Sequence, residues 1–354
     1  MKNKCFNRIM KLCLRAWFTV LFLVGCGESS SSFENLSFSD VLSKKDTIDS
    51  AVDWAKLQNR NGVTYLPNAN KPFTGYAKQT YQNDQVEVLA RFADGYLVRL
   101  KQWQENGIPK LEVGYMAGKV GVDEIVDRGF EDLILWKYEG LATVWYENGQ
   151  KKAEFNWKDG RKNGLSKGWY EDGQKERESY WKNGEMDGPF LSWHGNGNKR
   201  VESYWKDGQK NGVSTVWYGS GQKKTESNWK DGQKSGSFTG WYENGQKNWE
   251  SNWKEGVKDG LWCGWYENGI KERESYWKDG VKEGLWNGWY QNGQKARETY
   301  WQNGKFISSV SWKPNGEKCP FTDVKDGNGV VVRYCEEGGE LSRLTYKDGE
   351  PVEY

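Results

Sequence analysis

The chain has 354 residues, with 51 basic and 49 acidic side chains, 22 Trp, 19 Tyr, 13 Phe, 43 Gly and one His. Aromatic residues are 15% of the chain but hydrophobic residues only 36%. That balance excludes a large aliphatic core, a multi-span helical membrane protein, which needs about 20 consecutive apolar residues per span, and a disordered chain, which would lack aromatics. A single histidine, His194, argues against His-dependent catalysis and multi-His metal sites.

Residues 1–25 read as a signal peptide. Lys2, Lys4, Arg8, Lys11 and Arg15 form a basic stretch, and Ala16 to Gly25 is an apolar run too short to span a bilayer stably. It ends in Leu23-Val24-Gly25-Cys26, which resembles a bacterial lipobox. The resemblance implies cleavage before Cys26 and lipidation there, and several acyl chains on one residue anchor firmly. Gly27 stands where an Asp would disfavour outer-membrane sorting in Gram-negative lipoproteins, so an outer-membrane, cell-envelope location is expected. Cleavage leaves 46 basic against 49 acidic residues, a net charge near −3, and no basic patch to attract nucleic acid.

Residues 26–60 are expected to be a tether, flexible over Ser29–Ser32, with a short helix between Asp46 and Leu57 that covers the first edge strand. Degenerate repeats follow over 61–119, an insert over 120–139, seven regular repeats over 140–311 and two degenerate copies over 312–354.

The regular repeat is 24 residues long. One tryptophan column is Trp145, Trp169, Trp193, Trp217, Trp241, Trp265 and Trp289; a second, twelve residues later, is Trp157, Trp181, Trp205, Trp229, Trp253, Trp277 and Trp301. Glycine recurs four residues after each first Trp and three after each second. With the degenerate copies, such as Trp103-Gln-Glu-Asn-Gly107 and Trp312-Lys-Pro-Asn-Gly316, the array has eleven units of 22–24 residues. Asn148-Gly149 and Asp159-Gly160 mark turns whose residues tolerate positive φ. The seven or eight residues between turns suit a strand, and nothing has helical spacing. The fold class is all-β: an elongated meander of stacked antiparallel hairpins, a single-sheet solenoid.

Two registers are open. A two-residue Asn-Gly loop pairs Tyr170 with Lys175 and puts Trp169 and Trp181 on opposite faces. A three-residue loop with a bulge pairs Trp169 with Lys175, and is expected to put both columns on one face, gathering the apolar bulk that a thin sheet must bury. Lys151, Lys175, Lys199, Lys223, Lys247, Lys271 and Lys295 form a ladder, as do the Glu residues three positions after each. Both read as solvating rows, with a Lys–Trp cation–π contact of about 0.5–1 kcal/mol at exposed sites.

The unit W-Y-x-N-G-Q-K-x-x-E-S-x-W-K-D-G resembles the variant MORN (membrane occupation and recognition nexus) repeat of bacterial proteins. Asn61-Gly-Val-Thr-Tyr65 with Lys71-Pro-Phe-Thr-Gly75 looks like the lead-in of such proteins. The resemblance implies a repeat scaffold or adaptor, and for many relatives a toxin–antitoxin antitoxin label. No P-loop, dinucleotide fingerprint or metal-ligand spacing is present, so no enzyme, cofactor or metal is expected. His194 reads as a tolerated replacement of the Tyr after a first-column Trp, and Cys263 as a free thiol. Cys319 and Cys335 are opposite, and able to form a disulfide, only if their hairpin loop has three residues; a two- or four-residue loop forbids the bond. The expected function is a non-catalytic interaction surface on a lipid-anchored envelope protein, with an unidentified protein partner and with membrane contact through the anchor alone. The alternatives are an antitoxin or immunity-type protein, and a glycan binder using exposed Trp rows.

Overall fold

A computed structural model describes residues 45–116, 118, 120 and 138–352. The signal peptide, Cys26, the first part of the tether and most of the insert lie outside these residues. The chain divides into Met1–Thr47 and Ile48–Tyr354, and the second unit holds the sheet. Among the described residues twenty-six strands form one sheet, in which each hairpin arm from Gly75–Thr80 to Glu350–Pro351 pairs antiparallel with the next. The strands flanking the insert, Pro109–Gly114 and Gly140–Trp145, pair directly, so the meander passes it without interruption. All eleven units are hairpins. The tenth is cut short to Asp323–Lys325 on its second strand, just after Pro320, which cannot donate to a ladder.

Two kinds of turn alternate. In the first, the Tyr170 N–H donates to the Gln174 carbonyl at 2.8 Å, the Gly173 N–H donates to the Tyr170 carbonyl at 2.9 Å, and Gly173 sits at φ +86°. This is a type I turn closed by a glycine bulge. Asn serves it by hydrogen bonding rather than by positive φ. Asn148 Oδ1 accepts from the Gln150 N–H at 3.0 Å, and its Nδ2 donates to the Glu171 carbonyl of the next repeat at 2.7 Å. In the second turn Asp159 and Gly160 both take positive φ, 50° and 70°, as a type I′ hairpin requires. Its glycine also reaches back one unit: the Gly184 N–H donates to the Lys162 carbonyl at 2.9 Å. Both turn rows are therefore stitched along the array.

Glu255 occupies the first position of such a turn at φ 48°, where side chains other than Asn and Asp are strained. Glu255→Asn is expected to stabilise the protein by about 1 kcal/mol, read as a higher urea midpoint.

The register is the bulged one, but its consequence for the tryptophans is the reverse of the expectation. Trp169 pairs with Lys175, while Gly168 pairs with Arg177, so Glu176 is an extra residue on the second strand. Ser166 faces Ser179, and Trp181 lies two residues on from Ser179. Trp169, three residues on from Ser166, therefore points to the other side. The bulge moves Lys175, not Trp169, across the sheet. The same shift recurs in the other regular repeats. The two Trp columns occupy opposite faces.

The aliphatic core sits at the ends of the array. Phe92, Leu97, Leu100, Val88 and Ala77 are fully buried in one cluster with Trp54, Phe73 and Val113. Phe306, Val324 and Val331 form a second at the far end. The expected capping helix is shorter than the 46–57 reading, at Lys45–Ser50. Val52–Asp53 then pairs parallel to Ala77 and Lys78, covering the edge strand with backbone, and Trp54–Lys56 forms a 3-10 turn.

Candidate functional site

The face carrying the second Trp column is an aromatic row seated on serines. Trp181, Trp205, Trp229, Trp253 and Trp277 each donate Nε1–H to the Ser Oγ two residues earlier, at 2.8–3.1 Å. Those serines are buried, apart from the half-buried Ser227. Trp301 donates likewise to Thr299 Oγ1. In the first regular unit Phe155 replaces the serine, and Trp157 Nε1 is left buried without a partner. Rings from the intervening strands close the row. Trp229, Phe238 and Trp253 follow one another at 5.5 and 5.7 Å between centroids, and Trp277, Trp286 and Trp301 at 5.2 and 5.5 Å.

A second lysine column, which the sequence reading did not separate out, caps this row. Lys210 lies over Trp205 and Trp229, Lys234 over Phe238 and Trp253, and Lys282 over Trp286 and Trp301, at 4.1–5.7 Å. Burial pushes the ammonium groups of Lys210 and Lys282 below the ordinary lysine range. The signal was present as lysine at 210, 234, 258 and 282, again 24 apart.

The opposite face carries the first Trp column. Here the two charge ladders are not independent rows. Each Lys pairs with the Glu three residues on, from Lys175–Glu178 at 2.8 Å to Lys247–Glu250 at 2.7 Å, with Lys295–Glu298 likewise in contact. In a flat strand residues i and i+3 face opposite sides; the bulge puts them on one. The same lysines lie over the Trp of the following unit: Lys175 over Trp193 at 5.6 Å and Lys199 over Trp217 at 5.7 Å. Exposed pairs of this kind contribute little individually, and their repetition fixes the column rather than any one rung.

The tyrosine after each first-column Trp links repeats. Tyr170 Oη donates to the Trp193 carbonyl at 2.7 Å, Tyr218 to Trp241 at 2.9 Å and Tyr242 to Trp265 at 2.8 Å. His194 does the same work, with Nε2 3.0 Å from the Trp217 carbonyl. Tyr218→Phe is expected to destabilise by about 0.5–1.5 kcal/mol through this lost bond, and equilibrium urea unfolding measures it.

Toward the strand middles of the first-Trp face lies an apolar stripe, broken between Val213 and Leu261 by Asn228, Ser237 and Asn252. Tyr180, Tyr204, Val213, Leu261, Tyr276, Leu285 and Tyr300 are 38–53% exposed. Leu261 pairs with Tyr276, and Leu285 with Tyr300, across adjacent strands.

Among the described residues the cysteines, Cys263, Cys319 and Cys335, are free. Asp326-Gly327 is a two-residue turn, with Lys325 paired to Asn328, so the three-residue loop that would oppose Cys319 and Cys335 does not form. This corrects the possible disulfide. Cys319 Sγ instead meets Tyr334 Oη at 3.0 Å. Cys263 is buried in one unit, and burial, with Glu274 and Glu250 nearby, raises its thiol pKa. Among the described residues no group of three or more His, Cys, Asp or Glu is placed to hold a metal ion, and no helix is long and apolar enough to cross a membrane.

Stacked hairpins with one aromatic face and one ion-paired face define a β-repeat protein. The family described as MORN repeat variant matches residues 138–159, 162–183 and 258–279, so these segments are similar to the variant MORN repeat. No curated protein matches the chain. Among solved structures, one titled "Crystal Structure of TcdB2-TccC3" aligns with 82% of this chain at 10% identity and a TM-score of 0.13. The aligned part is 21% of that structure's chain, a likeness too slight to bear on the fold.

Proposed function

We propose that the chain is a non-catalytic repeat protein of the cell envelope, lipid-anchored through Cys26, that docks a protein partner on its first-Trp face. The observation that carries this reading is the exposed stripe of Tyr180, Tyr204, Val213, Leu261, Tyr276, Leu285 and Tyr300. Exposed apolar patches on a sheet mark interaction surface, and tyrosine is enriched at interface cores. The ion-paired columns beside it supply a polar rim. The second-Trp face suits binding less, because its indole N–H groups are satisfied by serine and its rings pack against Phe238 and Trp286 of the intervening strands. That arrangement also weighs against the reading of all fourteen Trp as one binding surface.

The test is affinity capture from envelope extracts with two proteins: the intact mature chain, and the chain carrying Tyr204→Ser, Tyr276→Ser and Leu285→Ser. A partner recovered by the first and lost from the second supports the stripe. Equal recovery by both moves docking elsewhere. Cys26→Ala is expected to abolish incorporation of labelled palmitate; retained label would remove the anchor.

A further inference from the structure

Near the C-terminal end of the array the second-Trp face opens into a cavity of about 470 Å³. Three guanidinium groups line it: Arg273, Arg297 and Arg333. Arg273 and Arg297 lie on either side of Gly288, which pairs with both, and the missing side chain leaves the space between them open. Arg297 is half-buried, whereas Arg333 is exposed. Burial, together with Arg333 and Arg273, pushes Arg297 down to about 10.

Three carboxylates share the lining, and each has a hydrogen bond elsewhere. Glu272 holds the Arg273 guanidinium at 2.7 and 3.1 Å, Glu336 accepts from the Gln291 N–H at 3.2 Å, and Glu337 is hydrogen-bonded to Cys335. No carboxylate is among the groups that perturb Arg297. Ser311, which pairs with Arg297 across the strands, is buried, lines the cavity, and has a hydroxyl without a hydrogen-bond partner. Unpaired charge and unpaired hydroxyl at one site are costly in the free protein. A planar guanidinium matches the two oxygens of a carboxylate or phosphate. The remaining wall includes Tyr266 and Tyr290, whose hydroxyls donate to the Trp289 and Trp312 carbonyls at 2.8 and 2.7 Å. The volume lies within the range of small-molecule sites, larger than a bare ion needs, and the two tyrosine oxygens, their protons already donated, can accept from the hydroxyls of a sugar.

We propose that this cavity binds a small acidic saccharide, its carboxylate or phosphate held by Arg297 and Arg333 and by the Ser311 hydroxyl. The site is separate from the apolar stripe on the other face and does not depend on a partner docking there.

The experiment is calorimetric titration of the intact mature chain with glucuronate, glucose 1-phosphate, glucose and inorganic phosphate. Either acidic sugar is expected to bind, the two arms separating carboxylate from phosphate, and glucose is not. Arg297→Gln and the exposed Arg333→Gln should each weaken binding at least tenfold. Arg177→Gln, in the same column several repeats away, should leave it unchanged. Arg333→Gln should also unfold at the same temperature as the parent or higher, because it relieves like-charge repulsion; a structural role would lower that temperature. The proposal is overturned if neither acidic sugar binds, if glucose or inorganic phosphate binds as tightly as they do, or if Arg177→Gln loses as much affinity as Arg333→Gln.

Discussion

Phe92→Ala is expected to destabilise the protein by about 3–5 kcal/mol, the usual cost of emptying a buried aromatic site. Phe92 is wholly buried, its ring centroid 5.7 Å from those of Trp54 and Phe73. Those contacts close the N-terminal end of the sheet, where Val52–Asp53 covers the edge strand. In a repeat array each unit touches only its neighbours. The loss should therefore appear first as fraying. Amide exchange should accelerate over residues 75–114 while strands near Trp229 and Trp253 stay protected. By contrast, Trp229→Ala removes a half-buried ring, its contact with Phe238 and one bond to Ser227. About 1–2 kcal/mol is expected there. Should the two variants lose equal stability, the terminal clusters are not what closes the array.

The hairpins and their 24-residue step were legible because glycine and tryptophan stand at fixed distances from each turn. The face of each column was not. Glu176 looks like any other strand residue, yet as a bulge it reverses which side Lys175 occupies. A signal existed: lysine and glutamate three apart cannot meet in a flat strand, and their recurrence in seven repeats fits the extra residue. The free thiols were legible in Asp326-Gly327, since Asp-Gly favours a two-residue type I′ turn over a three-residue loop. The arginine cavity could not be read in advance. Arg273 and Arg297 recur in register, but Arg333 comes from the shortened terminal hairpins, where spacing no longer predicts neighbours.

Deleting residues 212–235 is expected to leave one cooperative unfolding transition, with a midpoint close to the parent's, whereas deleting residues 230–241 is expected to split it. The first deletion removes one whole unit. Strand Gly236–Trp241 then meets Lys199–Lys206 as Gly212–Trp217 did, and tyrosine, glycine and tryptophan columns continue. The second removes one strand and one turn. The chain can still meander, but Trp229 then takes the place of a first-column Trp opposite Lys247. Every downstream unit is turned over, placing the serine-seated aromatic row against the Lys–Glu face. At the seam the Tyr–carbonyl bonds and the glycine stitching lose their partners, because the two turn rows exchange edges. With nearest-neighbour coupling broken at one interface, the two halves should unfold separately. Circular dichroism and tryptophan fluorescence followed through one urea titration distinguish the outcomes: coincident curves for the 24-residue deletion, two steps for the 12-residue deletion. A single transition in both would mean that adjacent hairpins recognise each other through backbone pairing alone, and that the columns of tryptophan, lysine and serine do not set which face a repeat presents.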